Sequence, residues 1–215
     1  MKQVLKIAVP KGYLLDSTVK LLSRAGYDVS CFLEDSRKLF LQSKTDGIKY
    51  IITRPMDVPV YVESGACDVG FAGKDVLLET ERNVFELMDT KEGFCRIIIA
   101  VKNGCQEDVK NHYEHFGTIK VATKYPNITG KYFEKKGMQV EIIKLYGSVE
   151  LAPLLGIADE ILDITATGKT LTENNLVEME NVAWSTTRLI ANEVSYRVKN
   201  EIIEKFINGL KKAVT

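Results

Sequence analysis

The sequence predicts an α/β fold of two lobes with mainly parallel sheets. Short segments rich in β-branched residues alternate with segments of helical periodicity along most of the chain, which is the pattern of βα units. A second series of such units, between about residue 96 and residue 180, indicates the second lobe. The chain has 215 residues, enough to bury one large core or two smaller ones.

Local patterns predict the elements of the first half of the chain. The run "VLKIAV" at 4–9 is β-rich, and "LLDSTVKLLSRAG" at 14–26 has apolar residues near helical spacing before a glycine that ends the helix. Further strands and helices are predicted by the same criteria, the strands at 48–53, 68–72 and 96–101 and the helices near 57–64 and 74–79.

The second half of the chain continues in the same way. Strands are predicted at 118–123, 139–145 and 160–164, and helices near 127–136 and 148–155. The segment "SYRVKNEIIEKFINGLKKAV" at 195–214 has the strongest helical pattern in the chain.

The predicted lobe boundaries depend on where the second series of units begins and ends. We assign residues 1–94 and 182–215 to the first lobe and residues 95–181 to the second. No Pro/Ser-rich linker separates them, and no repeat is present. Ligands of open α/β sheets bind beyond the carboxyl ends of the strands, so functional residues are expected in the strand-end loops.

Composition and charge narrow the class of protein. Lys and Arg total 29 and Asp and Glu total 29, which removes a general electrostatic reason for binding nucleic acid or an acidic membrane. The N-terminus has no signal-peptide pattern, and no apolar run is long enough to span a membrane. The four cysteines form no CxxC pair and are interpreted as reduced and mostly buried. These features predict a soluble cytoplasmic protein.

The segment "DITATGKTLTENN" at 163–175 has the composition of a phosphate-binding loop. Gly168 permits close backbone approach, Thr167 and Thr170 offer hydroxyl groups, and a following helix would present free amides. Asp163, upstream at a predicted strand end, is placed to accept hydrogen bonds from ribose hydroxyls. The loop is not a Walker A motif, and an ordinary capped helix remains the alternative.

Two other loops of the second lobe carry similar chemistry. In "LYGSVELAPLLG", Ser148 is the predicted N-cap of a helix, and Glu150 either compensates the helix dipole or reaches substrate hydroxyls. In "VATKYPNITG", Thr123 and Lys124 stand at a strand end. Lys124 is a candidate anion contact, with a solvated surface lysine as the alternative.

The first lobe has its own strand-end residues. Lys11 and Gly12 follow the first strand, and Gly73 and Lys74 follow the strand predicted at 68–72. Arg54 precedes a proline that restricts its backbone, which suits an oriented phosphate contact. The alternative for Arg54 is a salt bridge, to Asp57 or Asp75.

The histidines do not support a catalytic or metal site. His112 and His115 are spaced i, i+3, but no HExxH pattern or nearby cysteine ligands accompany them. Two histidines in a polar segment also give no Ser-His-Asp or Cys-His arrangement.

Several ordered motifs together resemble the ATP phosphoribosyltransferases that open histidine biosynthesis. The resemblance runs nearly end to end and is strongest between 147 and 171. It rests on "IAVPKGYL", "RPMDVPVYVESGACDVGFAGKDVL", "VATKYPNIT", "LYGSVELAPLLGIADEILDITATGKTL" and "STTRLIAN". It implies a fold similar to the type II periplasmic binding proteins, with the active site in the cleft between the lobes.

The resemblance implies transfer of the 5-phosphoribosyl group from phosphoribosyl pyrophosphate to N1 of ATP, with release of pyrophosphate. One group of residues would bind phosphoribosyl pyrophosphate: Glu150, Asp163, Thr165, Ala166, Thr167, Gly168, Lys169 and Thr170. A second group would contact ATP or pyrophosphate: Lys11, Gly12, Arg54, Gly73, Lys74, Thr123 and Lys124. No general base is assigned. Mg²⁺ is the expected cofactor, held mainly by substrate oxygens.

The resemblance also predicts partners. Nothing follows Thr215 that could form the regulatory domain of the long-form enzymes, so the chain resembles the short form. Short-form members imply a homodimer of catalytic chains and a regulatory subunit resembling histidyl-tRNA synthetase, in a hetero-octamer. The family commonly has PKGR where this chain has Tyr13 after Gly12. That departure keeps open a catalytically silent, partner-binding paralogue. The same fold would also allow a solute-binding module, and the loop alone would allow phosphoribosyl transfer to another base.

Overall fold

A computed structural model describes residues 4–33 and 38–214. The chain divides into two compact units, one formed by Met1–Phe94 and Thr186–Thr215 and the other by Cys95–Ser185. The second unit ends at Ser185, where a strand also ends, four residues beyond the predicted end at residue 181. Residues 1–3, 34–37 and 215, which the predicted first lobe includes, lie outside the described residues.

The described strands fall into two sheets. In chain order they are β1 (Lys6–Pro10), β2 (Phe40–Gln42), β3 (Lys49–Thr53), β4 (Val69–Gly73), β5 (Phe85–Asp89), β6 (Cys95–Lys102), β7 (Thr118–Thr123), β8 (Gln139–Lys144), β9 (Glu160–Thr165), β10 (Leu176–Ser185) and β11 (Thr187–Ala191). The first unit holds the order β2-β3-β1-β4-β11-β5, and the second holds β10-β6-β9-β7-β8.

The described helices connect these strands. They are α1 (Tyr13–Arg24), α2 (Val58–Glu63), α3 (Lys74–Thr80), α4 (Gln106–Phe116), α5 (Pro126–Lys136), α6 (Leu151–Leu154), α7 (Lys169–Glu173), α8 (Glu193–Val198) and α9 (Asn200–Ala213), with 3₁₀ turns at Ser30–Phe32 and Pro55–Asp57.

Both sheets are mixed, so the prediction of an α/β fold is confirmed but that of mainly parallel sheets is corrected. Parallel pairing joins β3, β1 and β4 in one unit, and β9, β7 and β8 in the other. The remaining described pairs are antiparallel. In the second unit the antiparallel pairs arise because β6 lies between β10 and β9 and runs in the opposite direction to both.

Four of the described strands and one described helix were not predicted: β2, β5, β10, β11 and α4. The strand β10 has four consecutive exposed residues and two register shifts against β6, so it lacks the alternation that marks a strand in sequence. The predicted final helix is divided into α8 and α9 at Lys199, which has φ −114° and ψ 30°. Its side chain reaches back to donate to Val4 O at 3.0 Å and to Asp68 Oδ2 at 2.8 Å.

The core of the first unit packs one face of its sheet against α1 and α9. The apolar face of α9 is wholly buried there, because Ile203, Phe206, Ile207 and Leu210 recur at helical spacing. Phe206 stacks on Tyr27 at 5.0 Å between ring centroids. A smaller cluster around Val58 and Val62 covers the opposite face of the sheet. The strands are therefore fixed from both sides, which holds their carboxyl ends in place.

The burial of the cysteines and the length of the helices bear on the predicted class of protein. Cys31, Cys67 and Cys95 are buried and Cys105 is half-buried, which agrees with the prediction that the cysteines are mostly buried. Burial raises the pKa of the Cys67 thiol to about 11. Among the described helices, none is both long enough and apolar enough to cross a bilayer.

Candidate active site

In the Cys95–Ser185 unit, three neighbouring parallel strands end at one edge. Because β8, β7 and β9 run in the same direction side by side, the loops after Lys144, Thr123 and Thr165 come together there. The structure therefore collects at one edge the residues that the sequence predicted for phosphoribosyl pyrophosphate, together with Lys124.

The loop between β9 and α7 is organised by its own hydroxyl groups. The amide of Gly168 donates to Thr165 Oγ1 at 2.9 Å, and the amide of Lys169 donates to Thr167 Oγ1 at 3.4 Å. Gly168 has φ +77°, and no atom lies within 4 Å of the position a Cβ would take. Glycine is thus required for the turn, and the open space beside it permits close approach by an anion.

Thr170 and Lys169, at the start of α7, are both exposed. Among the described residues, the hydroxyl of Thr170 takes part in no hydrogen bond, whereas those of Thr165 and Thr167 shape the turn. Lys169 Nζ lies 3.6 Å from Glu173 in a pair that is mostly solvent-exposed, so it is only weakly held. The helix α7 has five residues, too few for a strong dipole, so individual amides and hydroxyls would provide the binding.

The carboxylates of Asp163 and Glu150 belong to the same region. Asp163 lies two residues before the end of β9, rather than at its end as predicted, and is half-buried. It shares a sheet face with Ile161, which packs in a cluster with Val149 and Leu171 beside α6 and α7. Glu150 directly precedes α6 and is also half-buried.

The loop before α6 is strained at Ser148. Ser148 has φ +50°, in the left-handed region that few non-glycine residues adopt. The prediction that Ser148 caps the helix is wrong, because Glu150 occupies the N-cap position and no side chain caps α6. Backbone strain of this kind tends to persist where a loop must present groups in a fixed geometry.

Thr123 has a structural role in place of the predicted substrate contact. It is fully buried, and its hydroxyl donates to Leu162 O at 2.7 Å while accepting from the amide of Tyr125 at 2.8 Å. Both bonding directions of the hydroxyl are used. Thr123 therefore joins β7 to β9 and fixes the turn that carries Lys124.

The other unit presents a comparable edge. The strands β3, β1 and β4 are parallel neighbours, so Arg54, Lys11 and Lys74, which follow them in that order, lie along one edge. Lys11 and Arg54 are exposed and Lys74 is half-buried. The amide of Lys11 donates to Thr53 O at 2.8 Å, which fixes the start of that loop. The structure thus brings three predicted cations to the carboxyl ends of adjacent strands.

Arg54 is oriented as its sequence context predicts. Its backbone is extended, with φ −65° and ψ 145°, because Pro55 follows it. Within the described residues it forms no salt bridge with Asp57 or Asp75, the alternative considered for it. Its guanidinium is thus available to an anion.

The two glycines of this edge differ in what they do. Gly12 has φ +80° and open space where a Cβ would stand, which suits close approach by a ligand. Gly73 is fully buried, and a Cβ there would lie 2.2 Å from Asp75 Oδ1. At residue 73, glycine therefore leaves room for the Asp75 carboxylate.

Arg188 is a charged residue of this edge to which the sequence assigned no role. Arg188 Nη1 lies 3.2 Å from Glu86 Oε1, and the other oxygen of that carboxylate accepts from Lys74 Nζ at 2.5 Å. Arg188 Nη2 lies 3.5 Å from Asp89 Oδ2, and its buried Nε has no hydrogen-bond partner in the described structure. Burial opposes ionisation of Asp89, but hydrogen bonds from Lys91 and Thr186 and the charge of Arg188 lower its pKa overall.

Arg96 and Trp184 are further residues that sequence reasoning missed. Arg96 stands directly opposite Thr165 in the pairing of β6 with β9, and Trp184 stands opposite Arg96 on β10. Directly opposed side chains lie on the same sheet face, so Arg96 is a neighbour of the first loop residue. Arg96 also forms an ion pair with Glu178 at 2.5 Å. Arg96 begins an apolar run, which in the sequence predicts only a buried strand. Its position beside the loop becomes apparent only from the pairing of β6 with β9.

The histidines lie on α4, away from these edges. His112 stacks on Phe116 at 4.6 Å and its Nε2 lies 4.0 Å from Asp159 Oδ2. Among the described residues, no three His, Cys, Asp or Glu side chains are grouped so that they could hold a metal ion.

Comparison with known proteins agrees with the fold and the motifs. The family described as ATP phosphoribosyltransferase matches residues 54–212. A protein named ATP phosphoribosyltransferase from Geobacter metallireducens is 46% identical over 214 residues and is covered along its whole length. One of the same name from Halalkalibacterium halodurans is 48% identical over 211 residues, covering 98% of this chain and 97% of the relative.

Solved structures give the same result for the fold. The ATP phosphoribosyl transferase (HisG:HisZ) complex from Thermotoga maritima contains a chain with a TM-score of 0.81 and 37% identity, with 98% of each chain covered. The alkanesulfonate-binding protein SsuA from Xanthomonas axonopodis pv. citri has a TM-score of 0.60 at 14% identity, covering 98% of this chain and 72% of that one. SsuA supports the predicted likeness to periplasmic binding proteins in fold alone. The chain belongs to the ATP phosphoribosyltransferase family.

Proposed function

We propose that this protein transfers the 5-phosphoribosyl group of phosphoribosyl pyrophosphate to N1 of ATP and releases pyrophosphate, the first step of histidine biosynthesis. The observation that carries the proposal is the loop after β9, in which Gly168 adopts a left-handed turn and Thr170 keeps an unengaged hydroxyl within the described structure. The relatives that bear this enzyme's name match the chain from end to end, which supports the same reaction.

In this proposal the Cys95–Ser185 unit binds phosphoribosyl pyrophosphate. The amides and hydroxyls from Thr165 to Thr170 surround the 5′-phosphate, with Ala166 contributing its backbone and Lys169 its charge. Asp163 and Glu150, both half-buried, accept hydrogen bonds from the ribose hydroxyls. Placing carboxylates beside a sugar that develops positive charge at C1 also stabilises an oxocarbenium-like transition state.

The first unit is proposed to bind ATP and the pyrophosphate group. Lys11, Arg54 and Lys74 lie at the ends of adjacent strands and carry the positive charge that these phosphates need. Gly12 leaves room for a phosphate to approach the backbone. Lys124, on the other unit, is a further proposed anion contact.

The reaction depends mainly on the alignment of the two substrates and on the stabilisation of negative charge on the leaving group. N1 of adenine carries no proton, so attack on C1 needs no general base, and inversion at C1 follows from displacement of pyrophosphate on the opposite side. Holding two anionic substrates in reacting geometry, with cations near the leaving group, accounts for a site of lysines, arginines and loop amides.

Mg²⁺ is the proposed cofactor. It would neutralise phosphate charge and orient the pyrophosphate leaving group, held mainly by substrate oxygens. The donor set fits that role, since Asp163 and Glu150 offer one or two carboxylates near the loop rather than a complete protein cage.

The proposed partners follow from the family and from one structural relative. The Thermotoga maritima relative was solved as a HisG:HisZ complex, which supports a HisZ-like regulatory subunit for this chain. A homodimer of catalytic chains, a hetero-octamer with that subunit and a cytoplasmic location are also proposed. A catalytically silent paralogue is not favoured, although Tyr13 stands exposed at the start of α1 where an arginine was expected.

The test is the near-ultraviolet absorbance of ATP mixed with phosphoribosyl pyrophosphate, Mg²⁺, pyrophosphatase and the purified chain. We expect a rise that requires both substrates and that falls roughly 10- to 100-fold in Thr170→Ala, the loss of one hydrogen bond to a charged group. Thr118→Ala, at the opposite end of β7, is the matched control and should retain activity. A flat trace for the unaltered chain, with and without a HisZ-like subunit, would overturn the proposal.

A further inference from the structure

A cavity lies at the end of the Cys95–Ser185 unit opposite the phosphate loop. It has a volume of about 270 Å³ and adjoins the amino ends of the parallel strands, where β7 and β9 begin. Its principal lining residues are Val109, Tyr113, Ile119, Met138, Glu160 and Met179. These walls are mostly apolar apart from Glu160, and the charged residues Glu107, Lys110 and Glu114 of α4 also line the cavity.

The helix α4 covers this cavity without filling it. Gln106, Val109, Lys110 and Tyr113, which recur at helical spacing along one face, all line the cavity. Only Val109 of the eleven residues of α4 is buried. An ordinary amphipathic helix packs such a face onto the sheet. Here that face borders an open volume that could hold a small molecule.

A β-bulge places Met179 at the cavity. In the pairing of β10 with β6, Glu178 is opposite Ala100 and Glu180 is opposite Ile99, so Met179 is the extra residue between them. A bulge redirects the side chain at that point and is commonly found beside functional sites. The bulge explains why Met179, an exposed methionine between two glutamates, forms part of an apolar wall.

Glu160 is the polar group of the cavity interior. Its exposed fraction is 9%, and its carboxylate forms no hydrogen bond or ion pair among residues 4–33 and 38–214. Desolvation, and then the charges of Glu180 and Asp159, raise its pKa to about 7, against an opposing effect of Lys136. Lys136 is itself engaged by Glu180, so it leaves Glu160 without a counter-ion. A largely buried carboxylate that makes no ion pair with the protein carries a desolvation cost, which a bound cation would offset.

We propose that this cavity binds a small organic cation with an apolar body, such as an aromatic amidine or amine, whose charged group pairs with Glu160. The apolar side chains would cover the body of the ligand, and the carboxylate would take two hydrogen bonds from an amidinium. The groups at the mouth favour a cation, since Glu107 and Glu114 outnumber Lys110. The site does not depend on the proposed enzymatic function.

The probe for the test is benzamidine, with the near-isosteric neutral amide benzamide as its control. The full chain would carry ¹³C-methyl methionine, which gives five methyl signals, and would be titrated with each compound by NMR. We expect the methyls of Met138 and Met179 to shift saturably with benzamidine, while those of Met56 and Met88 in the other unit stay in place. Benzamide should produce no saturable shift.

Two further experiments test whether the carboxylate of Glu160 binds the probe. Glu160→Gln keeps the shape of the side chain but removes its charge, and should abolish the benzamidine shifts. In the unaltered protein, affinity should be roughly tenfold higher at pH 8 than at pH 6, because an acid with a pKa of about 7 is mainly ionised only at the higher pH. Equal binding of benzamide, pH-independent binding, or methyl signals that do not respond would each overturn the proposal. The comparison of pH 6 with pH 8 uses the unaltered protein, so it tests the proposal even if the Glu160→Gln variant does not fold.

Discussion

The ammonium of Lys74 donates to the carboxylate of Glu86 at 2.5 Å, and the same carboxylate lies 3.2 Å from Arg188. Lys74 follows β4, Glu86 lies on β5 and Arg188 lies on β11, so three strands contribute to one charged cluster. The pair is only partly exposed, with 31% of the Lys74 side chain accessible. This arrangement holds Lys74 at the edge of the sheet in a defined position, from which it can reach an anion.

Replacing Lys74 with Met should raise the KM for ATP by roughly tenfold with little change in kcat, because one charge-assisted contact to a phosphate is lost. Lys91→Met is the matched control, since Lys91 pairs with Asp89 at the same edge but is 67% exposed. Steady-state kinetics at varied ATP would distinguish the two variants. Equal effects of both substitutions would contradict a specific role for Lys74.

Gly73→Ala should destabilise the protein by about 1–3 kcal/mol, because the added Cβ would collide with the Asp75 carboxylate at 2.2 Å. Gly130→Ala is the matched control: it lies within α5, and its nearest neighbour would be Ile142 Cδ1 at an ordinary 3.8 Å. That variant should gain about 0.5–1 kcal/mol from helix propensity. Urea denaturation of both proteins measures the difference. A stable Gly73→Ala variant would show that Asp75 moves freely.

Lys199→Met should cost about 3 kcal/mol of unfolding free energy, because it leaves the carboxylate of Asp68 buried without its cation. Asp68 has 4% of its side chain exposed and also accepts from Ser195 Oγ and the amide of Lys6. Arg197→Met, which removes an exposed pair with Glu193, should change stability by less than about 0.5 kcal/mol. Denaturant midpoints would report both. Similar midpoints for the two variants would refute a structural role for the Lys199 pair.

Stability should fall as pH rises from about 4.5 to about 7 through the titration of Glu160. Its pKa is raised from 4.5 to about 7 in the folded protein, so the folded state binds the proton more tightly than the unfolded state does. The favourable contribution is complete below pH 4.5 and is lost as pH passes the folded value, a total of about 3 kcal/mol. Glu160→Gln should remove this component from the measured pH profile. An unchanged profile would show that Glu160 titrates normally.

Most of the local structure could be predicted from sequence. The strands β1, β3, β4, β6, β7, β8 and β9 appeared as short β-branched or apolar runs, and the loop from Thr165 to Thr170 was located with its glycine turn. These features depend on neighbours a few residues apart, for which periodicity and turn residues suffice. The ordered motifs also identified the family, which the comparisons confirm.

The missed features depend on residues that are distant in the chain. The strand β10 lacks an alternating pattern because two bulges, one of them at Met179, interrupt its register against β6. Thr123 was predicted to face substrate, but pairing with β9 buries it and engages its hydroxyl with Leu162. A polar residue at a strand end looks the same in sequence whether it faces solvent or the next strand.

The sequence by itself determined the strands β1, β3, β4 and β6 to β9, the strand-end loops with their glycines, and membership of the family. Only the tertiary structure decided that both sheets are mixed, that Glu86 and Arg188 surround Lys74, and that Glu160 borders a cavity. The physical reason is that periodicity and turn preference are properties of short segments. Strand pairing, ion pairing and burial are set by the energies of contacts between segments far apart in the chain, which depend on how the whole chain packs.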